Sequence, residues 1–306
     1  MPITDENLEM LELRYLNTIY KITLKCLPEI LERFYLRIKL YDFWKKQFTK
    51  GEEIKRLSDL GVGTERVFHN LFAQKTNWLP SSIPVGSNLF YHNSDVFINI
   101  DIKSDYVENS WDYLGVAEVG ERQTSYTIQN TWGAEEKFAP QLPPYYEIDD
   151  TEKPCLTYIL QIIHVDIDQI LLKNYDPNAI ALILLAIPNG LLYKRYGEKI
   201  IEEPKSYHYK KGKRHSPANF RYAYYKDPRF AVLKKKGLEE YRCRIFFNRK
   251  YFGETFETAY KYNERRPVRM FPENVTLLPN EMVKKVTTVF EKVNGTVGLT
   301  AYKGHS

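Results

Sequence analysis

The chain has 306 residues, 43% of them hydrophobic, which is enough for a sizeable core. It has no apolar run of 18 residues, and its first residues lack the basic region and apolar stretch of a secretory signal. We therefore expect a cytoplasmic protein without a membrane span. The three cysteines are far apart, which argues against a disulfide framework or cysteine-ligated zinc.

The first 60 residues are predicted to be helical, because apolar positions such as Leu8, Leu11 and Tyr15 recur at three- and four-residue spacing. These helices belong to the core or form a dimer contact. Gly61-Val62-Gly63 should end the run, and Thr64 could cap a following helix, residues 65–74. The inward face of that helix would consist of Val67, Phe68, Leu71 and Phe72.

The segment Ile98 to Ser104 is predicted to be a strand, since it is rich in β-branched residues and alternates. Its three isoleucines belong in a core. The opposite face carries Asp101 and Lys103, two residues apart, so both could reach one scissile phosphate. Asp101 would hold a divalent cation and Lys103 would orient or polarise the attacking water. The alternative is a solvent-exposed ion pair.

The centre of the chain is predicted to be rich in strands. Residues 155–168 form one, and 179–193 form two antiparallel strands joined by a hairpin at Pro188-Asn189-Gly190. Residues 123–133 are rich in amides and hydroxyls, which suits contacts to phosphates or base edges, or a capped surface turn. Residues 241–247 form a strand with Arg242 and Arg244 on one face, and residues 279–293 have helical spacing. Helical ends and a β-rich centre indicate an α/β or α+β fold with a mixed sheet.

The net charge of +5 is concentrated in residues 204–236, which hold eleven Lys or Arg and one acid, Asp227. The rest of the chain has 33 basic and 38 acidic residues. Seven aromatic residues lie among these cations. A solvating loop seldom carries so many aromatic residues, so the segment indicates contact with nucleic acid.

The strand sequence Asp101-Ile-Lys103-Ser104 resembles the second half of the PD-(D/E)xK nuclease motif. The order of further features resembles the BglI-type branch of the type II restriction endonucleases, related to EcoRV and HincII. The matching pieces are residues 95–104, 128–130, 142–145, 187–191, 226–229 and 242–244.

The resemblance implies a restriction-endonuclease-like α/β fold, a mixed sheet flanked by helices, in a single domain over residues 1–306. Residues 1–60 would be helical with a possible role in dimerisation, 61–200 the catalytic core, 201–250 the DNA-recognition segment, and 251–306 a C-terminal strand and helix region. The implied enzyme is a homodimer that hydrolyses double-stranded DNA at a defined sequence with Mg²⁺. Its cognate methyltransferase would belong to the same system without forming a stable complex.

The resemblance also assigns roles to residues. Asp101 and Lys103 would be catalytic, and the metal-binding positions would include Asp101 and Ile102. The expected DNA contacts are Lys226, Asp227, Arg229, Arg242, Arg244, Gln129 and Asn130, with Lys210, Lys211, Lys213, Arg214 and Arg221 on phosphates.

The chain departs from the family pattern in one respect. The family places a second metal-binding Asp upstream on a neighbouring strand, but residues 66–94 contain no carboxylate. Asp95 is the first candidate, although a straight strand would put it ~20 Å from Asp101 unless a turn or bulge folds it back. Glu65 on the preceding helix is the second candidate.

Two other functions are compatible with the same pattern. One is a non-catalytic protein whose aromatic residues stack on single-stranded bases. The other is a repair nuclease on the same core that recognises DNA structure.

Overall fold

The computed structural model describes residues 3–47, 60–82, 88–129, 138–165, 180–203, 219–224, 232–235, 238–247 and 275–277. The helices within these ranges are α1 Asp5–Lys25, α2 Leu27–Gln47, α3 Leu60–Lys75, α4 Ser110–Tyr113 and α5 Tyr193–Tyr196. In these ranges, no helix has the length and apolar character needed to cross a membrane. The predicted helix over residues 279–293 lies outside them.

Eight strands in the same ranges form a central sheet. Seven of them are β1 Leu79–Pro80, β2 Leu89–His92, β3 Phe97–Tyr106, β6 Thr151–His164, β7 Ala181–Ile187, β12 Cys243–Phe247 and β13 Val275–Leu277. They lie in that order across the sheet, and β5 Tyr145–Ile148 pairs with β6. A second sheet contains β4 Val116–Gly120, β9 Asn219–Ala223 and β8 Ile201–Glu202, in the order β4-β9-β8. A separate hairpin consists of β10 Val232–Lys235 and β11 Leu238–Tyr241.

The central sheet is mixed, as the sequence predicted. Strand β3 runs parallel to β6, whereas β6 and β7 are antiparallel. Every residue of β7 is buried, which explains its continuous apolar run, because a central strand covered on both faces has no polar side. The helices pack beside this sheet: α1 contacts β6 and β7, and α3 contacts β3.

The chain does not reverse at Asn189-Gly190, so the predicted hairpin is wrong. Strand β7 ends at Ile187, and a 3₁₀ turn begins at Gly190. The Asn189 side chain accepts a hydrogen bond from Leu191 N at 2.9 Å and donates to the carbonyls of Pro144 and Cys155. A Cβ at Gly190 would lie 2.0 Å from the carbonyl oxygen of Ser125. Asn189 and Gly190, which would suit a tight turn, therefore make contacts with residues distant in the sequence.

Helix α3 begins at Leu60 and continues through the glycines, so the predicted cap at Thr64 is also wrong. The Thr64 hydroxyl donates to the Leu60 carbonyl at 2.7 Å, a bond that a threonine inside a helix can make. The predicted inward face is confirmed for Phe68, Leu71 and Phe72, which are all buried.

Candidate active site

Strand β3 presents the predicted Asp-x-Lys pair. Ile98, Ile100 and Ile102 are buried on one face, as predicted. Asp101 on the other face is 0% exposed, and its carboxylate lies 2.9 Å from the Lys103 ammonium. The Lys103 side chain retains 25% exposure. The pair is therefore not the fully solvated ion pair considered as the alternative, since only its lysine reaches solvent.

Gln123 completes the site. It ends the 3₁₀ turn Glu121–Gln123 that follows β4. Its amide nitrogen donates to Asp101 Oδ1 at 2.8 Å, and its amide oxygen accepts from the Lys103 ammonium at 2.8 Å. The same oxygen accepts from the Gly120 N–H at 2.8 Å, which fixes the orientation of the amide. The sequence indicated polar contacts for residues 123–133, but it contained no signal that joins Gln123 to Asp101.

The surroundings of Asp101 favour the approach of positive charge. Burial raises the pKa of Asp101, Lys103 lowers it, and the nearby Glu118 carboxylate raises it again. A buried carboxylate with one cationic neighbour and a second acid close by gains from another cation.

The site opens into a cavity of about 410 Å³. Its lining residues are Lys103, Gly120, Glu121, Arg122, Gln123, Gln141 and Asn219. Gln141 also lines a second cavity of about 490 Å³, with Ser125, Thr127, residues 140–144, Gly190 and Leu191. The two cavities therefore have Gln141 in common, and Lys103 lines only the first of them.

The donor atoms near Asp101 suit a hard divalent cation. Register places Asn88, just before β2, beside Asp101, and its amide oxygen accepts from Ile102 N at 2.7 Å. Its amide nitrogen donates to Glu65 at 2.8 Å, which brings this second carboxylate close to β3. Within the described ranges no three His, Cys, Asp or Glu side chains form a metal-binding group. A small, hard divalent cation needs no more than one or two carboxylates, because it keeps several waters. The side chain of Ile102 is apolar and buried, so only its main-chain oxygen could serve.

The first candidate for the second ligand, Asp95, is wrong. Strand β3 is continuous from Phe97, and no bulge folds Asp95 toward Asp101. Instead, Asp95 precedes the strand and pairs with Arg14 at 2.5 Å. The hydrogen bonds from Ser94 and Arg14 lower the pKa of its carboxyl group.

Comparison with protein families identifies the chain. Residues 5–169, more than half of the sequence, match the model of the N-terminal domain of the type II restriction enzyme MwoI. The chain belongs to this MwoI family. It is accordingly a type II DNA nuclease, a DNA-cleaving hydrolase of a restriction system. No curated protein sequence matches it.

Two solved structures resemble this MwoI-family chain. One is the restriction endonuclease BglI bound to its DNA recognition sequence, with a TM-score of 0.56 and 18% identity, covering 78% of this chain and 90% of that one. The other is the tetrameric restriction endonuclease SfiI bound to cognate DNA, with a TM-score of 0.39 and 12% identity, covering 71% and 80%. The likeness to BglI confirms the predicted restriction-endonuclease-like fold.

Most of the predicted DNA contacts lie outside the described residues, namely Asn130, Lys210, Lys211, Lys213, Arg214, Lys226, Asp227 and Arg229. Gln129 is exposed, and its backbone N–H donates to Glu198 at 2.7 Å. Arg221 donates to the Glu203 carbonyl at 2.9 Å and lies 3.6 Å from the Glu202 carboxylate. These contacts within the small sheet compete with a phosphate contact by Arg221.

The prediction that Arg242 and Arg244 read DNA bases is wrong in this structure, because both are buried. Arg242 is 0% exposed and pairs with Glu12 of α1 at 2.6 Å. Arg244 donates to Asn17 of the same helix at 2.9 Å and lies over the Tyr20 ring. Helix α1 covers both Arg242, which directly precedes β12, and Arg244, which lies within it. The two arginines therefore join the first helix to the sheet.

Asp105 is a partly buried acid on the same strand face as Asp101 and Lys103. Gln161 of β6 donates to its carboxylate at 2.7 Å. Burial raises the pKa of Asp105 to about 6, against an ordinary value of 3.8, and Asp112 and Glu118 add to the rise. Ionising Asp105 in the folded protein therefore costs stability.

We expect Asp105→Asn to stabilise the protein at neutral and alkaline pH. The folded state holds the Asp105 proton more tightly than the unfolded state, so wild-type stability falls as pH rises from about 3.8 to about 6. The variant should gain about 2 kcal/mol over wild type at about pH 8 and almost nothing at about pH 4. Urea unfolding at both pH values measures the difference in free energy of unfolding between the variant and wild type. Asp95→Asn is the control and should show no gain at the higher pH, since the pKa of Asp95 is lowered.

Proposed function

We propose that this MwoI-family chain cuts double-stranded DNA at a defined sequence as a Mg²⁺-dependent homodimer. The observation that carries the proposal is the bonded group of Asp101, Lys103 and Gln123, with Lys103 facing the cavity of about 410 Å³. A carboxylate that could bind a cation, beside an ammonium that lines an open cavity, suits the hydrolysis of a phosphodiester.

Each residue of the site would have a separate role in the reaction. Asp101 would bind the cation, with Glu65 as the second carboxylate through its contact with Asn88. When bound, the cation supplies a positive charge that stabilises the charge developing on the phosphate. Lys103, whose ammonium is held by Asp101 and Gln123, would orient the attacking water or neutralise a phosphate oxygen.

The homodimer follows from the reaction. Cutting both strands in one encounter takes two active sites of opposite strand polarity, and two copies of one chain related by a two-fold axis would provide them. Light scattering should give twice the chain mass for the purified protein, and twice the chain mass plus the mass of one duplex for its complex with DNA. The basic segment 204–236 would supply contacts to the duplex backbone in each copy.

Incubation with a plasmid and Mg²⁺ tests the proposal. We expect discrete fragments, and no cleavage when a chelator removes the cation, because the charge on the phosphate is then not stabilised. A smear, or cuts only at branched structures, would point to a repair nuclease. Absence of cleavage with any divalent cation, together with tight binding to single strands, would point to a non-catalytic binding protein.

A further inference from the structure

The cavity beside Lys103 contains a second cation that has no part in the group of Asp101, Lys103 and Gln123. This is Arg122, which lies on the 3₁₀ turn directly before Gln123 and lines the same cavity. Among the described residues, Lys103 and Arg122 are the only Lys or Arg that line it. Arg122 is exposed, and the described contacts pair it with no carboxylate.

Gln141 fixes the direction of the Arg122 side chain. Arg122 Nε donates to the amide oxygen of Gln141 at 3.2 Å. The backbone N–H of Gln141 in turn donates to the Glu121 carbonyl at 2.7 Å, and the Leu142 N–H donates to the Thr124 carbonyl at 3.3 Å. The segment that carries Gln141 is therefore tied to the turn that carries Arg122. The bond uses Nε alone, which leaves the two terminal nitrogens of the guanidinium available to a ligand.

The Gln141 amide also contacts Glu121, an acidic residue that lines the cavity. The Gln141 amide nitrogen lies 3.4 Å from the Glu121 carboxylate, so one side chain contacts both Glu121 and Arg122. Glu121 is thus engaged by Gln141, and the described contacts include no ion pair between Glu121 and Arg122. Gln123 follows Arg122 directly in the sequence and accepts a hydrogen bond from the Lys103 ammonium. The turn Glu121–Gln123 therefore contacts Lys103 and carries Arg122, the two cations of the cavity.

We infer that Arg122 binds a backbone phosphate of the duplex in the cavity that it shares with Lys103. The ligand is a phosphodiester, because a planar guanidinium with two free terminal nitrogens matches two phosphate oxygens. The inference rests on the proposed DNA cleavage at Lys103. It makes Arg122 a substrate-binding residue, oriented by Gln141.

Salt dependence of DNA binding tests this inference without cleavage. Affinity for a duplex of about 30 base pairs is measured at several salt concentrations with a chelator present, so that the DNA stays intact. Each neutralised phosphate contributes about 0.9 to the slope of log K against log salt. Arg122→Gln should lower the slope by about 0.9 and weaken binding similarly on all sequences.

Two further variants separate binding from structure. Arg122→Lys keeps the charge and should keep the wild-type slope, whereas Arg33→Gln, at an arginine paired with Glu29 on α2, should change neither slope nor affinity. An unchanged slope in Arg122→Gln, or an equal loss in Arg122→Lys, would overturn the inference while leaving the proposed function intact. Failure of the wild-type protein to bind any duplex would instead overturn the proposed function.

Discussion

Asp101→Asn should reduce DNA cleavage by at least about a thousandfold, equivalent to about 4 kcal/mol of transition-state stabilisation. The substitution keeps the shape of the side chain and an acceptor for Gln123, but it removes the negative charge that would hold the cation and that pairs with Lys103. Lys103→Ala should have a similar effect, since the ammonium is then absent from the cavity. Fragment formation from plasmid DNA under single-turnover conditions measures both losses.

The fold should survive the change at Asp101. Burial raises the pKa of this carboxyl group, so the ionised form is disfavoured in the folded protein, and a neutral amide removes that cost. Binding to duplex DNA with Ca²⁺ in place of Mg²⁺ should remain substantially intact. A variant that unfolds, or that loses cleavage and binding together, would argue against a catalytic role.

A matched substitution provides the control. Asp95→Asn makes the same chemical change at the other aspartate considered from the sequence, and it should leave cleavage within about twofold, since exposed ion pairs contribute little. Glu65→Gln tests the second carboxylate. Loss of cleavage there, with a higher Mg²⁺ requirement, would support Glu65 as a ligand, and unchanged cleavage would restrict the metal site to Asp101.

Arg242→Met should destabilise the protein by about 3–5 kcal/mol, because it leaves the buried Glu12 carboxylate without its cation. Glu12 has no other cation within ion-pair distance among the described residues, although Asn189 N donates to it at 2.7 Å. Burial raises the pKa of Glu12 and Arg242 lowers it, so removing Arg242 also favours protonation. Urea unfolding at neutral pH measures the loss.

The double variant Glu12→Gln with Arg242→Met should recover much of that stability, because no uncompensated charge stays buried. Arg14→Met removes an arginine that is 59% exposed from its pair with Asp95 and should cost less than about 1 kcal/mol. If Arg242→Met were as stable as wild type but lost discrimination between DNA sites, the base contact predicted from the sequence would be correct.

The β3 strand shows what a local pattern can predict. Its alternation identified the buried isoleucines and placed Asp101 and Lys103 on the same face, because successive side chains of a strand point to opposite sides. The periodicity of α1 and α3 similarly identified the inward residues Leu8, Phe68 and Leu71. These features depend only on residues a few positions apart.

The failures concern residues whose partners are distant in sequence. The dipeptide Asn189-Gly190 suits a tight turn locally. The Asn189 side chain instead bonds to the carbonyls of Pro144 and Cys155, and the missing side chain of Gly190 lets the Ser125 carbonyl approach. Gln123 reaches Asp101 from 22 residues away, on a different element. Arg244 and Asn17 lie 227 residues apart, so nothing near Arg244 indicates that a helix covers it.

The sequence by itself therefore determined the strand that carries the chemistry, its two catalytic candidates, the basic segment and the class of fold. Only the tertiary structure decided which side chains surround that strand: Gln123 beside Asp101, Glu65 near it through Asn88, Asp95 away from it, and Arg242 in the interior. The physical reason is that strand and helix periodicity is set by the backbone over a few residues. The neighbours of a side chain are set instead by the order of strands in the sheet and by the helix that packs on them.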